Sequence, residues 1–239
     1  MEGMIFAAGL GTRLRPLTND RPKALVELAG KPLLEYVILK MQKAGIRRIV
    51  VNVHHYADLI EAFLAKHPFP DCELIVSDER DCLLDTGGGL LKAAKLFTPG
   101  TSVLIHNVDI LSEINLSELI QVHTERNDYA TLVVKRGGTG RGLRFNDEGI
   151  LKGWEDRTTG EQKVVDEDFY QSTCYSFCGV HIVSPELLQQ INGQGVFSII
   201  DEYLSLAHKH SLRMVDYDGL FVDMGTPEAI RKAEKMVQS

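Results

Sequence analysis

No run of about twenty apolar residues occurs in the 239-residue chain, so no segment reads as a membrane-spanning helix. The chain also lacks the pattern of a secretory leader: its first residues enter an apolar segment at once, and a cytoplasmic location is expected. Cysteine is scarce. Cys72, Cys82, Cys174 and Cys178 show none of the paired spacings of a zinc site, and free thiols in a reducing compartment are expected for all four. Positive charge is in deficit, with 26 Lys and Arg against 33 Asp and Glu and a formal net charge of -7. Neither nucleic acid nor an anionic membrane is therefore an expected partner. A basic pocket inside an acidic protein is still allowed, and Arg13, Arg15, Arg21 and Lys23 supply one. At 44% hydrophobic and 25% charged, the chain can bury one full core, and no second domain is needed.

What the chain does have is a glycine-broken loop behind its first apolar segment, AAGLGTRLRPLTNDRPK over residues 7–23. Gly3, Met4, Ile5, Phe6, Ala7 and Ala8 read as a buried strand. Gly9 and Gly11 then free the backbone to turn its N–H groups around an anion. Arg13 and Lys23 add positive charge, which suits a polyphosphate. Spacing excludes two common phosphate loops. A P-loop lysine directly follows its second glycine, whereas Lys23 comes twelve residues after Gly11. A dinucleotide loop needs a third glycine where a helix begins, and Pro16 and Pro22 prevent a regular helix over residues 15–23.

Short apolar runs alternate with segments of helical period, the pattern of an α/β chain with a mainly parallel, twisted central sheet between two helical layers. Strands are expected at 4–8, 48–53, 73–77, 102–106 and 129–134, and helices near 32–44, 56–66, 88–97 and 115–126. In the first helix Leu34, Val37, Ile38 and Met41 form the apolar stripe, with Pro32 at its start and Gly45 as its cap. Past residue 135 the rhythm changes to GGTGRGLRF, EGILKGW and a charged stretch over 155–168, which reads as β-hairpins. Near the end, Thr226 caps a last helix opened by Pro227, with Ile230, Ala233 and Val237 as its docking stripe.

In open α/β sheets, ligands gather at the carboxyl ends of strands. Three such ends stand out: residues 9–13, 107–109 and 223–226. Asp109 and Asp223 lie on two of them. A hard divalent cation takes one or two carboxylates plus phosphate oxygens and water, and these aspartates could supply the pair. Each could equally serve only its own turn. His54 and His55 follow a buried strand, but neighbours on a strand face opposite ways, and they read as surface or packing groups.

The run AAGLGTRLRPLTNDRPKAL, continued without a gap by VELAGKPLLEYVILKMQKAG, resembles the signature of the sugar-phosphate nucleotidyltransferases. These enzymes join a nucleoside triphosphate to a sugar 1-phosphate. Further matches are DTGGGLLKA at 85–93, NVD at 107–109, FCG at 177–179 and FVDMGT at 221–226, in the family's order. Lys23 follows Arg13 by ten residues, an interval similar to the sugar branch and longer than in the cytidylyl- and molybdopterin guanylyltransferases. The TGGG run, and a length without a β-helix acyltransferase extension, resemble the N-acetylmuramate 1-phosphate uridylyltransferases and the mannose and heptose 1-phosphate guanylyltransferases. The base, the sugar and the oligomeric state stay open.

The resemblance implies a Rossmann-like, GT-A-like nucleotidyltransferase fold in one domain, with residues 1–135 as the nucleotide part. Residues 136–239 would hold the sugar part, with its hairpins beside the acceptor pocket, and the last helix. It implies Mg²⁺ on Asp109 and Asp223, with Arg13, Lys23 and Asp109 as catalytic groups. Ala7, Ala8, Gly9, Gly11, Thr12 and Arg13 would bind the nucleotide, with Thr86, Gly87 and Gly88 forming the opposite wall. Asn107, Glu155, Phe177 and Gly179 would contact the sugar. Two departures are visible. Val108 stands where glycine is common, and the usual Glu-Lys-Pro segment reads WEDRTTG, so that either Arg157 or Lys163 replaces its lysine or the sugar is held differently. Two other readings remain: an inactive nucleotide-sugar-binding regulator, and a GT-A glycosyltransferase, for which Asn107 breaks the Asp-x-Asp pattern.

Overall fold

The computed structural model describes residues 1–138 and 140–237. Its first half alternates strand and helix. Strand β1 (Glu2–Phe6) leads through the glycine loop to the short ribbon β2 (Glu27–Leu28) and β3 (Lys31–Pro32), then to helix α1 (Leu33–Lys43). There follow β4 (Arg48–Val53), α2 (Ala57–Lys66), β5 (Glu73–Asp78), α3 (Asp85–Ala93), β6 (Val103–Asn107), β7 (Ile110–Ser112) and α4 (Leu116–Arg126). The second half is richer in strands: β8 (Ala130–Arg136), β9 (Arg141–Phe145), β10 (Leu151–Asp156), β11 (Glu161–Val164) and β12 (Thr173–Val183). Helices α5 (Pro185–Gln190) and α6 (Ile199–Ala207), strands β13 (Leu212–Asp216) and β14 (Phe221–Asp223), and helix α7 (Pro227–Val237) complete it.

One ten-stranded sheet runs through both halves in the order β11-β10-β9-β12-β6-β1-β4-β5, with β8 on β12 and β13 on β8. Its centre, β6-β1-β4-β5, is parallel throughout. Beyond β6 the pairings are antiparallel except that β13 joins β8 in parallel, and β9, β10 and β11 form the expected successive hairpins. The alternation of strand side chains divides the core in two. Ile5, Val51 and Leu104 face α1, α2, α4 and α7, while Met4, Val50 and Ile105 face α3 and α6. The result is the three-layer α/β/α arrangement, with a mostly parallel sheet at its centre. Among the described residues no helix is long and apolar enough to cross a membrane.

The first helix shows how local chemistry fixes this arrangement. Leu34, Val37, Ile38 and Met41 are buried, Pro32 precedes the first helical residue, and Gly45 adopts φ 86° just past the end, a left-handed position that glycine fills without strain. The helix lies so close to β1 that a Cβ on Gly3 would come within 2.8 Å of the Met41 sulfur. Two expected boundaries move. β1 stops at Phe6, because the amides of Ala7 and Ala8 leave the ladder for the Asn52 side chain. Helix α3 begins at Asp85, so Thr86, Gly87, Gly88 and Gly89 lie inside its first turns rather than ahead of it. In α7, Ile230 and Ala233 are buried as expected, but Val237 is exposed.

Strand β1 pairs with β4 on one side and β6 on the other. The chain order therefore reverses direction at the β1/β6 boundary, which is where a parallel sheet opens a crevice at its strand ends.

Candidate active site

The crevice is a cleft of about 400 Å³. Ala8, Gly9 and Lys23 line it on one side, Thr86 on another, and Asn107 and Asp109 at the end of β6. Its apolar lining comes from Phe6, Leu83 and Val196.

Of the glycine loop, Ala8 and Gly9 line the cleft, while Gly11, Thr12 and Arg13, like Asp223, lie beyond that lining. Gly11 is left-handed at φ 62° and ψ 27°, and its carbonyl accepts the Leu14 amide and the Thr18 hydroxyl, each at 2.9 Å. That inward fastening leaves the outer edge of the turn open. Among the described residues, the amides of Gly9, Leu10, Gly11, Thr12 and Arg13 have no acceptor. Successive unpaired N–H groups around a left-handed residue form an anion-binding concavity. A Cβ on Gly11 would lie 3.1 Å from that of Lys23, so the turn rests on the lysine stem.

The facing side carries acid. Strand β14 pairs with β7 so that Asp223 lies opposite Ile110, and the Met224 amide donates to the Asp109 carbonyl at 2.8 Å. The two aspartates thus come from adjoining strand ends. Desolvation of the carboxyl, and then the charge of Asp109, hold Asp223 above its ordinary range although the residue as a whole is exposed, while Lys23 and Arg13 pull it the other way. The Lys23 ammonium donates to Asp109 Oδ2. Arg13 reaches the same corner: a Cβ on Gly225 would lie 2.9 Å from both Arg13 Nη2 and Asp223 Oδ1. No carboxylate lies within ion-pair distance of Arg13 among the described residues.

The segment 107–109 is held from below. Burial, and then the nearby Lys40 charge, hold the His106 imidazole down at about 4. The neutral ring lies with Nδ1 2.7 Å from the Asn107 carbonyl, so Nδ1–H donates to it. The Val108 amide donates to the Phe6 carbonyl at 3.1 Å. Val108 itself, where glycine was the expected type, is buried within the core that includes Leu104 and Ile110. The Asn107 side chain packs over Gly179, where a Cβ would come within 2.5 Å of its amide nitrogen.

Other expected site residues are placed differently. Thr86 lines the cleft, and its hydroxyl oxygen accepts the Ile199 amide at 3.0 Å. Gly87 and Gly88, expected to read a base edge through their backbone, instead donate both amides to the Phe197 carbonyl, at 2.9 and 3.3 Å. Packing explains their lack of side chains. A Cβ on Gly87 would lie 2.4 Å from the Phe197 ring, and one on Gly88 2.4 Å from the Gly195 carbonyl oxygen. Gly88→Ala is therefore expected to overpack this contact, at about 1–3 kcal/mol, and a calorimetric scan should show the midpoint falling by several degrees.

Glu155, expected at the sugar, is enclosed by arginines. Arg144 donates to one oxygen at 2.8 Å and Arg157 to the other at 2.9 Å. Burial pushes its pKa up, but the hydrogen bonds from Arg157 and Arg144 prevail and bring it to about 2. Glu155 does not line the cleft. Phe177 lines a second groove, of about 490 Å³, with Trp154, Lys163 and Asp201. Lys163 pairs with Asp201 at 2.6 Å and lies 5.3 Å from the centre of the Trp154 ring. Of the two candidates to replace the missing lysine, Arg157 is thus paired with Glu155 and Lys163 with Asp201. The sequence reading omitted Asn52 and Glu79, two buried polar residues that also form part of the cleft lining.

Known proteins resemble this chain in sequence and in fold. An N-acetylmuramate alpha-1-phosphate uridylyltransferase of Caulobacter vibrioides is 35% identical over 240 residues, spanning 97% of this chain and 94% of the relative. A mannose-1-phosphate guanyltransferase of Hypocrea jecorina is 26% identical over 232 residues, spanning 95% of this chain and 62% of the relative. Among solved structures, HddC from Yersinia pseudotuberculosis complexed with GMP-PN shares the fold, with TM-score 0.79 at 21% identity and 99% coverage of both chains. The family model described as nucleotidyl transferase matches residues 2–143, more than half of the sequence. The cleft at the β1/β6 boundary therefore lies in a chain that belongs to the nucleotidyl transferase family.

Proposed function

We propose that the chain transfers a nucleotidyl group, uridylyl or guanylyl, from a nucleoside triphosphate to a sugar 1-phosphate, releasing pyrophosphate. The observation that carries this reading is the meeting of Asp109 and Asp223 beside Lys23, next to a turn with five unpaired amides. Two anions must be brought together while a third departs, and the cleft opposes their repulsion with Lys23, Arg13 and those amides.

The donor set also fits magnesium. Two hard carboxylates converge, the charge of one makes ionisation of the other harder, and the Lys23 ammonium already lies against Asp109. Held by Asp109 and Asp223, magnesium would supply Lewis-acid polarisation of phosphoryl oxygens. The protein's own groups do the rest. Residues 9–13 and the Arg13 guanidinium bind the β- and γ-phosphates, and Lys23 offsets charge at the α-phosphate or the sugar phosphate. The apolar surfaces of Phe6, Leu83 and Val196, with Ala8 beside them, line the part of the cleft open to a base. An oxygen of the sugar phosphate bonds to the α-phosphorus as the bond to pyrophosphate breaks in line. No side chain has to take a proton, because the attacking oxygen is already ionised. Positioning and charge then carry the rate. Nucleoside triphosphates as substrates, and four free cysteines, are consistent with a cytoplasmic enzyme.

Pyrophosphate release measured across UTP, GTP, CTP and dTTP, each with several sugar 1-phosphates and Mg²⁺, tests the reading. One strongly preferred pairing, uridine or guanosine in type, is expected. Silence across the matrix from folded protein would contradict it and favour a binding regulator.

A further inference from the structure

Asn52 and Glu79 take part in no step described so far, yet their burial is nearly complete, at 3% and 0% exposure. They connect the two walls of the cleft. Asn52 Oδ1 accepts the Ala7 amide at 2.7 Å and the Ala8 amide at 3.3 Å, where β1 passes into the anion-binding turn. Asn52 Nδ2 donates to Glu79 Oε1 at 2.7 Å. Glu79 Oε2 accepts the Leu84 amide at 3.1 Å, immediately before helix α3 and Thr86. Each Glu79 oxygen thus receives an N–H; burial pushes its carboxyl above the ordinary range, and the bonds from Asn52 and Leu84 act in the opposite direction, favouring the carboxylate.

No Lys, Arg or His nitrogen pairs with this carboxylate among the described residues. Burying such a charge is strongly disfavoured unless hydrogen bonds compensate it, so the Asn52 amide and the Leu84 N–H are integral to its placement. The surrounding chain makes room for the pair. A Cβ on Gly89 would lie 2.8 Å from Glu79 Oε1 and 3.1 Å from Asn52 Nδ2, which accounts for the last glycine of the TGGG run.

We propose that Asn52 and Glu79 are positioning residues for the nucleoside triphosphate: together they set the separation between the turn that binds phosphate and the wall that faces the base. The sugar 1-phosphate is held elsewhere and does not depend on them. The proposal rests on the function proposed above and deepens it.

The polarity of the bonds permits a reciprocal test. In Glu79→Gln, an amide NH₂ must face either the Asn52 NH₂ or the Leu84 N–H. In Asn52→Asp, a new carboxylate faces that of Glu79. In the double variant Asn52→Asp with Glu79→Gln every donor meets an acceptor again: the carboxylate at position 52 accepts Ala7, Ala8 and the amide at position 79, whose oxygen accepts Leu84.

The assay is pyrophosphate release with the triphosphate and sugar 1-phosphate that the wild type prefers, alongside thermal scans. Each single variant is expected to raise KM for the triphosphate by about tenfold or more, the size of one unsatisfied buried group. KM for the sugar 1-phosphate should move by less than about twofold, and the double variant should recover most of the loss. If the singles fail to fold, a folded double variant with near-wild-type triphosphate KM supports the same coupling. Equal shifts in both KM values, no shift in the singles, or a double variant no better than either single overturns the proposal. A silent wild type would instead contradict the proposed function.

Discussion

Asp223→Asn is expected to lower kcat by about 10³-fold, the equivalent of about 4 kcal/mol of lost charge stabilisation, and yet to raise the thermal midpoint of the metal-free protein. The two effects share a cause. Desolvation of its carboxyl and the neighbouring Asp109 charge hold Asp223 above its ordinary range. A carboxyl whose folded-state pKa exceeds its unfolded value is ionised against the preference of the folded protein. Its charge therefore subtracts from stability; the penalty is absent below the unfolded pKa and complete above the folded pKa. At neutral pH the neutral amide removes that penalty, while the site loses an anionic ligand. Initial rates and a calorimetric scan on the same preparation test both halves. A variant that turns over within tenfold of its parent would show that Asp223 is no part of the chemistry.

Lys23→Ala is expected to reduce kcat/KM by about 10²–10³-fold, the usual effect of removing one preorganised charge from a developing anion. The fold should survive, because alanine keeps the Cβ against which the Gly11 turn rests. Arg13→Ala should act mainly on KM for the triphosphate, by about 10–100-fold, as expected for a group that binds phosphates in ground and transition states alike. Its stability should be unchanged, since Arg13 is exposed and makes no ion pair among the described residues. Steady-state kinetics with circular dichroism as the control separate the two roles. A Lys23→Ala enzyme with wild-type kcat/KM would remove the lysine from the mechanism.

Much of this arrangement was legible in the sequence, for reasons of period and spacing. The buried strand RIVVNV and the amphipathic stripe of α1 appear where apolar periodicity placed them. The rule that ligands gather at strand ends led to residues 9–13, Asp109 and Asp223, and the structure brings these together although they are far apart in the chain. Asn52 and Glu79 were less legible: Asn52 lies inside β4, one residue before its end, and Glu79 follows β5 only after Ser77 and Asp78, so neither marks where an apolar run stops.

Contacts made by glycine were less legible, because a missing side chain does not reveal which segment approaches it. Gly87 and Gly88 read as ligand-facing backbone, but they are shaped by the approach of residues 195–197. Glu155 was expected at the sugar, and its partners Arg144 and Arg157 meet it only through the pairing of β9 with β10 and the turn that follows.

Under the proposed function, Asp109 and Asp223 would together hold one divalent ion beside the triphosphate. Anomalous diffraction from crystals grown with Mn²⁺ and a non-hydrolysable analogue of the preferred triphosphate tests it most directly. A manganese peak is expected between the two carboxylates, with β- and γ-phosphate oxygens against the amides of residues 9–13. A manganese peak elsewhere, or phosphates bound away from that turn, would contradict it.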